Sequence, residues 1–142
     1  TLVQLNATGQ EIKDALEDAL EGVVGPALNT GCYPYAGGLR WQVDLNRPKG
    51  QRFSQLEIRG ADGSYQPFEL GRSYKVATIS FLADGNDSFT GLKKISGERR
   101  IEVGLDYAEA FLRYLDKLPG ADKPLQPLPT AQYSTQRFVD RP

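Results

Sequence analysis

Two short stretches carry the residue types that could hold a flat, polar small molecule. Phe81-Leu82-Ala83-Asp84-Gly85-Asn86-Asp87-Ser88-Phe89 sets an aromatic ring ahead of a carboxylate across a polar, glycine-containing turn. The ring offers a face for stacking, and an ionised carboxylate offers only hydrogen-bond acceptors. Together they suit a nucleoside, with the base stacked on the ring and the ribose hydroxyls donating to one of the two carboxylates, Asp84 or Asp87. Upstream, Tyr33-Pro34-Tyr35-Ala36-Gly37-Gly38 supplies rings for an opposite wall. Gly37 and Gly38 mark a place where backbone approaches a ligand or turns tightly beneath it. Tyr35 either rims the base or simply packs. Arg40 faces either ligand or solvent.

Other chemistries are poorly served. The chain has no histidine, which removes the commonest general base and metal ligand and any Ser-His-Asp or Cys-His arrangement within it. Counting Asp84 as the first position of a calcium loop places Phe89 where glycine is needed and Ile95 where glutamate is needed. Gly37-Gly38 lacks the spacing of a phosphate-cradling loop. The lone Cys32 has no internal partner and reads as a small packed residue beside Tyr33. Lys93-Lys94 and Arg99-Arg100 are split by Gly97-Glu98 and lack interleaved aromatics, so they read as a solvated face. No catalytic residue and no metal ligand is assigned within the chain.

The elements that position these residues are legible from periodicity and punctuation. Leu2, Val3 and Leu5 suggest a strand. Thr8 with Glu11 forms a capping box, after which Ile12, Leu16, Leu20 and Val23 recur at helical spacing with Ala15 and Ala19 on their flank. Gly25-Pro26 ends that helix. Residues 39–45 and 53–59 alternate like strands about the polar Asn46–Gly50 turn, and Asp62-Gly63 signals a further hairpin. Tyr74 to Phe81 reads as a buried strand leading into the Asp-Gly-Asn-Asp turn. A second helix is expected from Asp106, with Tyr107, Phe111, Tyr114, Leu115 and Leu118 as its buried stripe and Pro119 as its stop. The proline-rich stretch 119–129 reads as an extended surface tether. Strands and helices in this order imply an α+β domain of mixed layers, a mixed sheet packed with helices.

At 142 residues the chain is expected to form a single domain, residues 1–142. Charged residues make up 25% and the formal net charge is -1, which gives no long-range basic field for nucleic-acid binding. No apolar run approaches the ~20 residues that cross a bilayer as a helix. The sequence begins at Thr1 without a signal-like segment, as a fragment or a processed protein would.

The motifs in order resemble the C-terminal, substrate-binding domain of the 5'-nucleotidase and UDP-sugar hydrolase family. The resemblance runs from Leu2–Leu5 and Thr8–Glu17 through Gly31–Arg40 and Asp44–Arg52 to Tyr74–Thr78 and Phe81–Asp87. It implies that Tyr33 and Phe81 sandwich the base and that Asp87 accepts from the ribose, with Gly37 and Gly38 beside them. Tyr33 stands where most members compared carry phenylalanine. The tail Tyr133–Phe138 resembles the family's terminal segment and is expected for that reason, not from its own periodicity, to dock back on the body. The resemblance also implies an N-terminal metallophosphoesterase domain of the same polypeptide, absent from this chain. That domain would carry two divalent metal ions and the catalytic site for hydrolysing nucleotide monoesters, UDP-sugars or dinucleotides. The chain alone is then expected to be inactive. A periplasmic, secreted or cell-surface location follows from the resemblance only. The rival reading is a non-catalytic module that binds a nucleoside or sugar, or that meets a protein partner.

Overall fold

The computed structural model describes residues 1–26, 28–118, 120 and 124–142. Seven strands and three α-helices run in the order β1 (Leu2–Thr8), α1 (Gly9–Val24), β2 (Leu39–Asp44), β3 (Phe53–Arg59), β4 (Tyr65–Pro67), β5 (Ser73–Ile79), α2 (Ser80–Ala83), β6 (Arg100–Glu102), α3 (Tyr107–Asp116) and β7 (Thr135–Val139). They form two sheets. One is antiparallel, ordered β5-β1-β6. The other is ordered β4-β3-β2-β7, and its β2–β7 pair is parallel. The α+β reading holds.

Helix α1 joins the two sheets because its apolar residues point in two directions. Ala15, with Ile12, packs on Val3, Leu5 and Ala7 of β1 and on Ala83, Leu92 and Ile95. Leu16 and Leu20 pack on Leu39, Trp41 and Val43 of β2 and on Phe53 of β3. Trp41 and Phe53 meet edge to face, with centroids 5.5 Å apart. The helix starts where the capping box places it. Thr8 Oγ1 accepts from the Glu11 amide at 3.2 Å, and the Glu11 carboxylate accepts from the Thr8 amide at 2.8 Å. It ends at Gly25.

Between β2 and β3 the register shifts at Trp41, and Gln55 opposite takes a left-handed φ of 50°. This is the signature of a bulge, which bends the strand locally. The Asp62-Gly63 turn closes the β3–β4 hairpin as expected, with Gly63 at φ 84°. The tail does dock: β7 adds to β2, and the Trp41 amide donates to the Ser134 carbonyl at 2.8 Å.

Two expectations fail. The segment from Tyr74 to Phe81 is not a buried strand. Its first part, β5, is a sheet edge paired on one side only, with alternate residues exposed. Phe81 lies beyond it, in the single helical turn of α2. The stripe of α3 is not buried either. Its N-cap is Asp106 as read, but Tyr107, Phe111 and Tyr114 are all more than half exposed, and no residue of the helix is buried. Amphipathic spacing states which face wants cover, and the described residues do not supply that cover. The expected stop at Pro119 lies outside the described residues. Residues 124–129 run as exposed chain without regular structure, in keeping with a tether.

Candidate functional site

Phe81 is held by backbone on both sides. The Ser80 amide donates to the Thr1 carbonyl at 2.8 Å, which fixes the start of α2 against β1. The Phe81 carbonyl accepts from the Asn86 side-chain amide at 2.8 Å, folding the loop back on the helical turn. Its ring remains 48% exposed, which leaves apolar surface available for stacking. Asp84, read as a turn former, caps α2 and pairs with Arg100 at 2.7 Å, so β6 anchors the loop as well.

Asp87 and Ser88 both have left-handed backbones, with φ of 49° and 66°. Residues with a Cβ rarely adopt this region, and two in succession mark a loop held in shape by its surroundings. Asp87 is partly exposed, and its carboxylate has no hydrogen-bond or ion-pair partner among the described residues. A turn-forming aspartate would bind its own backbone, as Asp62 does with the Ser64 amide at 3.0 Å. Asp87 makes no such bond among the described residues, and its oxygens are left open to solvent or to a ligand.

Tyr33 leaves a 3₁₀ turn, Thr30–Cys32, in extended backbone. Its hydroxyl is 2.7 Å from Thr135 Oγ1 on β7. The ring stands edge-on to Tyr35 at 5.3 Å and tilted against Phe138 at 6.3 Å. It is half-buried, and burial holds its hydroxyl above the usual phenol pKa of 10.0 against the opposing pull of neighbouring polar side chains. The hydroxyl is therefore protonated at neutral pH. Tyr35 is 84% exposed, so it is not a packed residue. Gly38 has φ 79°, which a glycine adopts without strain, and a Cβ at Gly37 or Gly38 would meet nothing within 4 Å.

Arg40 is committed elsewhere. It pairs with Glu57 at 2.7 Å, donates to the Ala131 carbonyl at 3.0 Å and covers the Tyr65 ring at 3.9 Å.

The two segments meet, although their rings make no aromatic contact with each other. Cys32 and Ser88, the chain neighbours of Tyr33 and Asp87, approach to 3.9 Å between Sγ and Oγ. Gly22 of α1 lies against both. Sequence reasoning missed this junction because none of its residues carries distinctive chemistry. A cavity of about 480 Å³ opens beside Tyr35, Gly37, Leu128, Tyr133 and Thr135, and a crevice of about 290 Å³ lies between Asp18, Lys49, Ser88 and Thr90. Neither is lined by Phe81 or Asp87.

The family model of the 5'-nucleotidase C-terminal domain matches residues 1–94, two thirds of the chain and both loop segments. The chain belongs to the 5'-nucleotidase C-terminal domain family. Among relatives, it is 32% identical over 117 residues to the "Probable 5'-nucleotidase" of Treponema pallidum, covering 81% of this chain. It is 26% identical over 124 residues to the NAD 5'-nucleotidase of Haemophilus influenzae, covering 84% of this chain. Among solved structures, the 5'-nucleotidase precursor of Thermus thermophilus superposes on 100% of this chain and 26% of its own, with a TM-score of 0.76 and 33% identity. This 5'-nucleotidase C-terminal domain spans a fifth of the length of each of these two curated relatives. Among its described residues, no three acidic, cysteine or histidine side chains converge as a metal-ligand set, and no helix is long and apolar enough to cross a membrane.

Proposed function

We propose that this domain is the nucleoside-binding part of a metal-dependent 5'-nucleotidase. The base lies between Phe81 and Tyr33, and the ribose hydroxyls donate to Asp87. Gly37 and Gly38 form the open floor of the turn beside Tyr33. The observation that carries the reading is the loop itself. It presents a half-exposed ring and an unpartnered carboxylate on one strained backbone, joined through Ser88 to the Tyr33 segment. A loop serving packing alone would bury the ring and satisfy the carboxylate.

Hydrolysis belongs to a metallophosphoesterase domain of the same polypeptide, N-terminal to this one. Two divalent ions would be held there, and among the described residues of this domain no three acidic or cysteine side chains converge as a ligand set. This chain's part is to bind and orient. It fixes the nucleoside so that the phosphate is presented elsewhere, using remote binding energy for orientation at the reacting centre. A periplasmic, secreted or cell-surface location accords with this reading.

The test uses the longer polypeptide. Replacing Phe81 and Tyr33 by alanine is expected to raise KM strongly for nucleoside monophosphates. If the rings hold ground state and transition state alike, kcat changes little. An unchanged KM in the double variant would remove the assignment. One observation favours a protein contact as well, at a different place. The exposed apolar face of α3 suits a neighbouring domain better than a small ligand.

A further inference from the structure

The junction between the two binding segments has a keystone. A Cβ built on Gly22 would lie 2.4 Å from Ser88 Oγ, 2.9 Å from Ser88 Cβ and 3.3 Å from Cys32 Sγ. The first two distances are too short for any real side chain. Gly22 is buried in the interior of α1, where glycine is otherwise unfavourable relative to alanine. Its φ is not left-handed, so backbone geometry does not demand glycine there. Space does.

We infer that Gly22 is a positioning residue for the nucleoside site. It admits Ser88 against α1 and thereby sets the Asp87 carboxylate in register with the Tyr33 segment. The inference rests on the nucleoside reading above. The route is short and physical. Ser88 is the residue after Asp87, so a displacement of its backbone is passed directly to Asp87, and both have left-handed φ. Cys32 is the residue before Tyr33, and its thiol meets Ser88 at 3.9 Å. Helix α1 is the rigid body of the fold, packed on both sheets. Side-chain bulk at position 22 would push the loop off the helix and carry Asp87 away from a ribose seated beside Tyr33. Ser88 is the position at which that bulk can be relieved, because glycine tolerates φ 66° better than serine does.

The experiment measures adenosine affinity on this chain for the unaltered protein, Gly22→Ala, Ser88→Gly, the double variant Gly22→Ala/Ser88→Gly, and Gly91→Ala. Gly91 is on the same loop but has open space, its built Cβ meeting only Asp18 Oδ2 at 3.7 Å. Gly22→Ala is expected to weaken binding about tenfold or more, as loss of a hydrogen bond to a charged group does. Gly91→Ala is expected to bind as the parent does, and the double variant to bind more tightly than Gly22→Ala and about as well as Ser88→Gly, which serves as its reference. Thermal midpoints taken alongside separate a binding loss from an unfolding loss. Parental affinity in Gly22→Ala overturns the inference. So does a double variant that remains weak or fails to fold, because the obstruction would then not be at Ser88. No adenosine binding by the unaltered chain and by the longer polypeptide strikes instead at the nucleoside reading itself.

Discussion

Asp87 and Phe81 show how far residue types alone can be read. A carboxylate after a glycine in a polar loop is usually a turn former. What separates Asp87 from Asp62 is that the latter spends its oxygens on Ser64 while the former spends them on nothing in the described fold. Asp87→Asn is expected to weaken adenosine binding about tenfold, since the amide is a poorer acceptor for two hydroxyls. Calorimetric or NMR titration would measure it, and parental affinity would return Asp87 to a local role. Tyr33 makes a second point at this scale. Its hydroxyl bond to Thr135 was not legible in the sequence, since the partner is 102 residues away. Burial raises its pKa above 10.0, so the hydroxyl stays protonated through neutral pH, and ionisation at higher pH leaves a phenolate that still accepts from the Thr135 hydroxyl. Adenosine affinity should therefore be flat from about pH 6 to pH 9 as far as Tyr33 is concerned. A titration step near neutrality would point to a different group.

At the scale of elements, α1 and α3 had equally clear amphipathic patterns and met different fates. Capping and spacing are local, so the starts of both helices, at Thr8 and Asp106, were legible. Cover is a tertiary matter. Helix α1 lies between two sheets, whereas α3 has no buried residue. A ten-residue helix is marginal in water without packing. Amide hydrogen exchange should therefore be much faster in α3 than in α1 in this chain, and should slow in the longer polypeptide if a neighbouring domain covers Tyr107, Phe111 and Tyr114. Equal protection of both helices in the chain alone would contradict this. The N-terminus of α1 gives a pH prediction. The Thr8 amide, chiefly, with Arg99 assisting, lowers the Glu11 pKa from 4.5. A depressed carboxylate contributes stability above its unfolded value, and that contribution is lost as pH falls through the folded value, below 4.5. Thr8→Ala should cost about 1 kcal/mol at neutral pH. Denaturant midpoints for Glu11→Gln should fall less steeply with acid in that window than the parent's, by the share that Glu11 contributes beside Asp44 and Asp62, which are also held low.

For the whole molecule, the sequence motifs reached the right family and fold class, and for a physical reason. Gly31–Arg40 and Phe81–Asp87 lie largely in loops and turns, where residue identity is less replaceable than apolar volume, while Leu2–Leu5, Thr8–Glu17 and Tyr74–Thr78 carry the patterns of β1, α1 and β5. The division into two sheets was not legible, because pairing partners such as β2 and β7 are far apart in sequence. Nor was the exposure of β5, since an apolar run reads alike at an edge and at a centre. The molecule as it stands has rings, an acceptor and a junction, but no metal-ligand set among its described residues. It should release no phosphate from nucleoside monophosphates even with added divalent metal. Measurable turnover by the purified chain would contradict the division of labour proposed.

The most direct measurement follows backbone amide shifts of this chain during titration with adenosine, with glucose as control. Two stacking faces at about 1–3 kcal/mol each, less the cost of association, predict a Kd on the order of millimolar to high micromolar. The account predicts shifts at Tyr33, Phe81 and Asp87 with adenosine and none with glucose. Shifts elsewhere, or equal shifts with glucose, would contradict it.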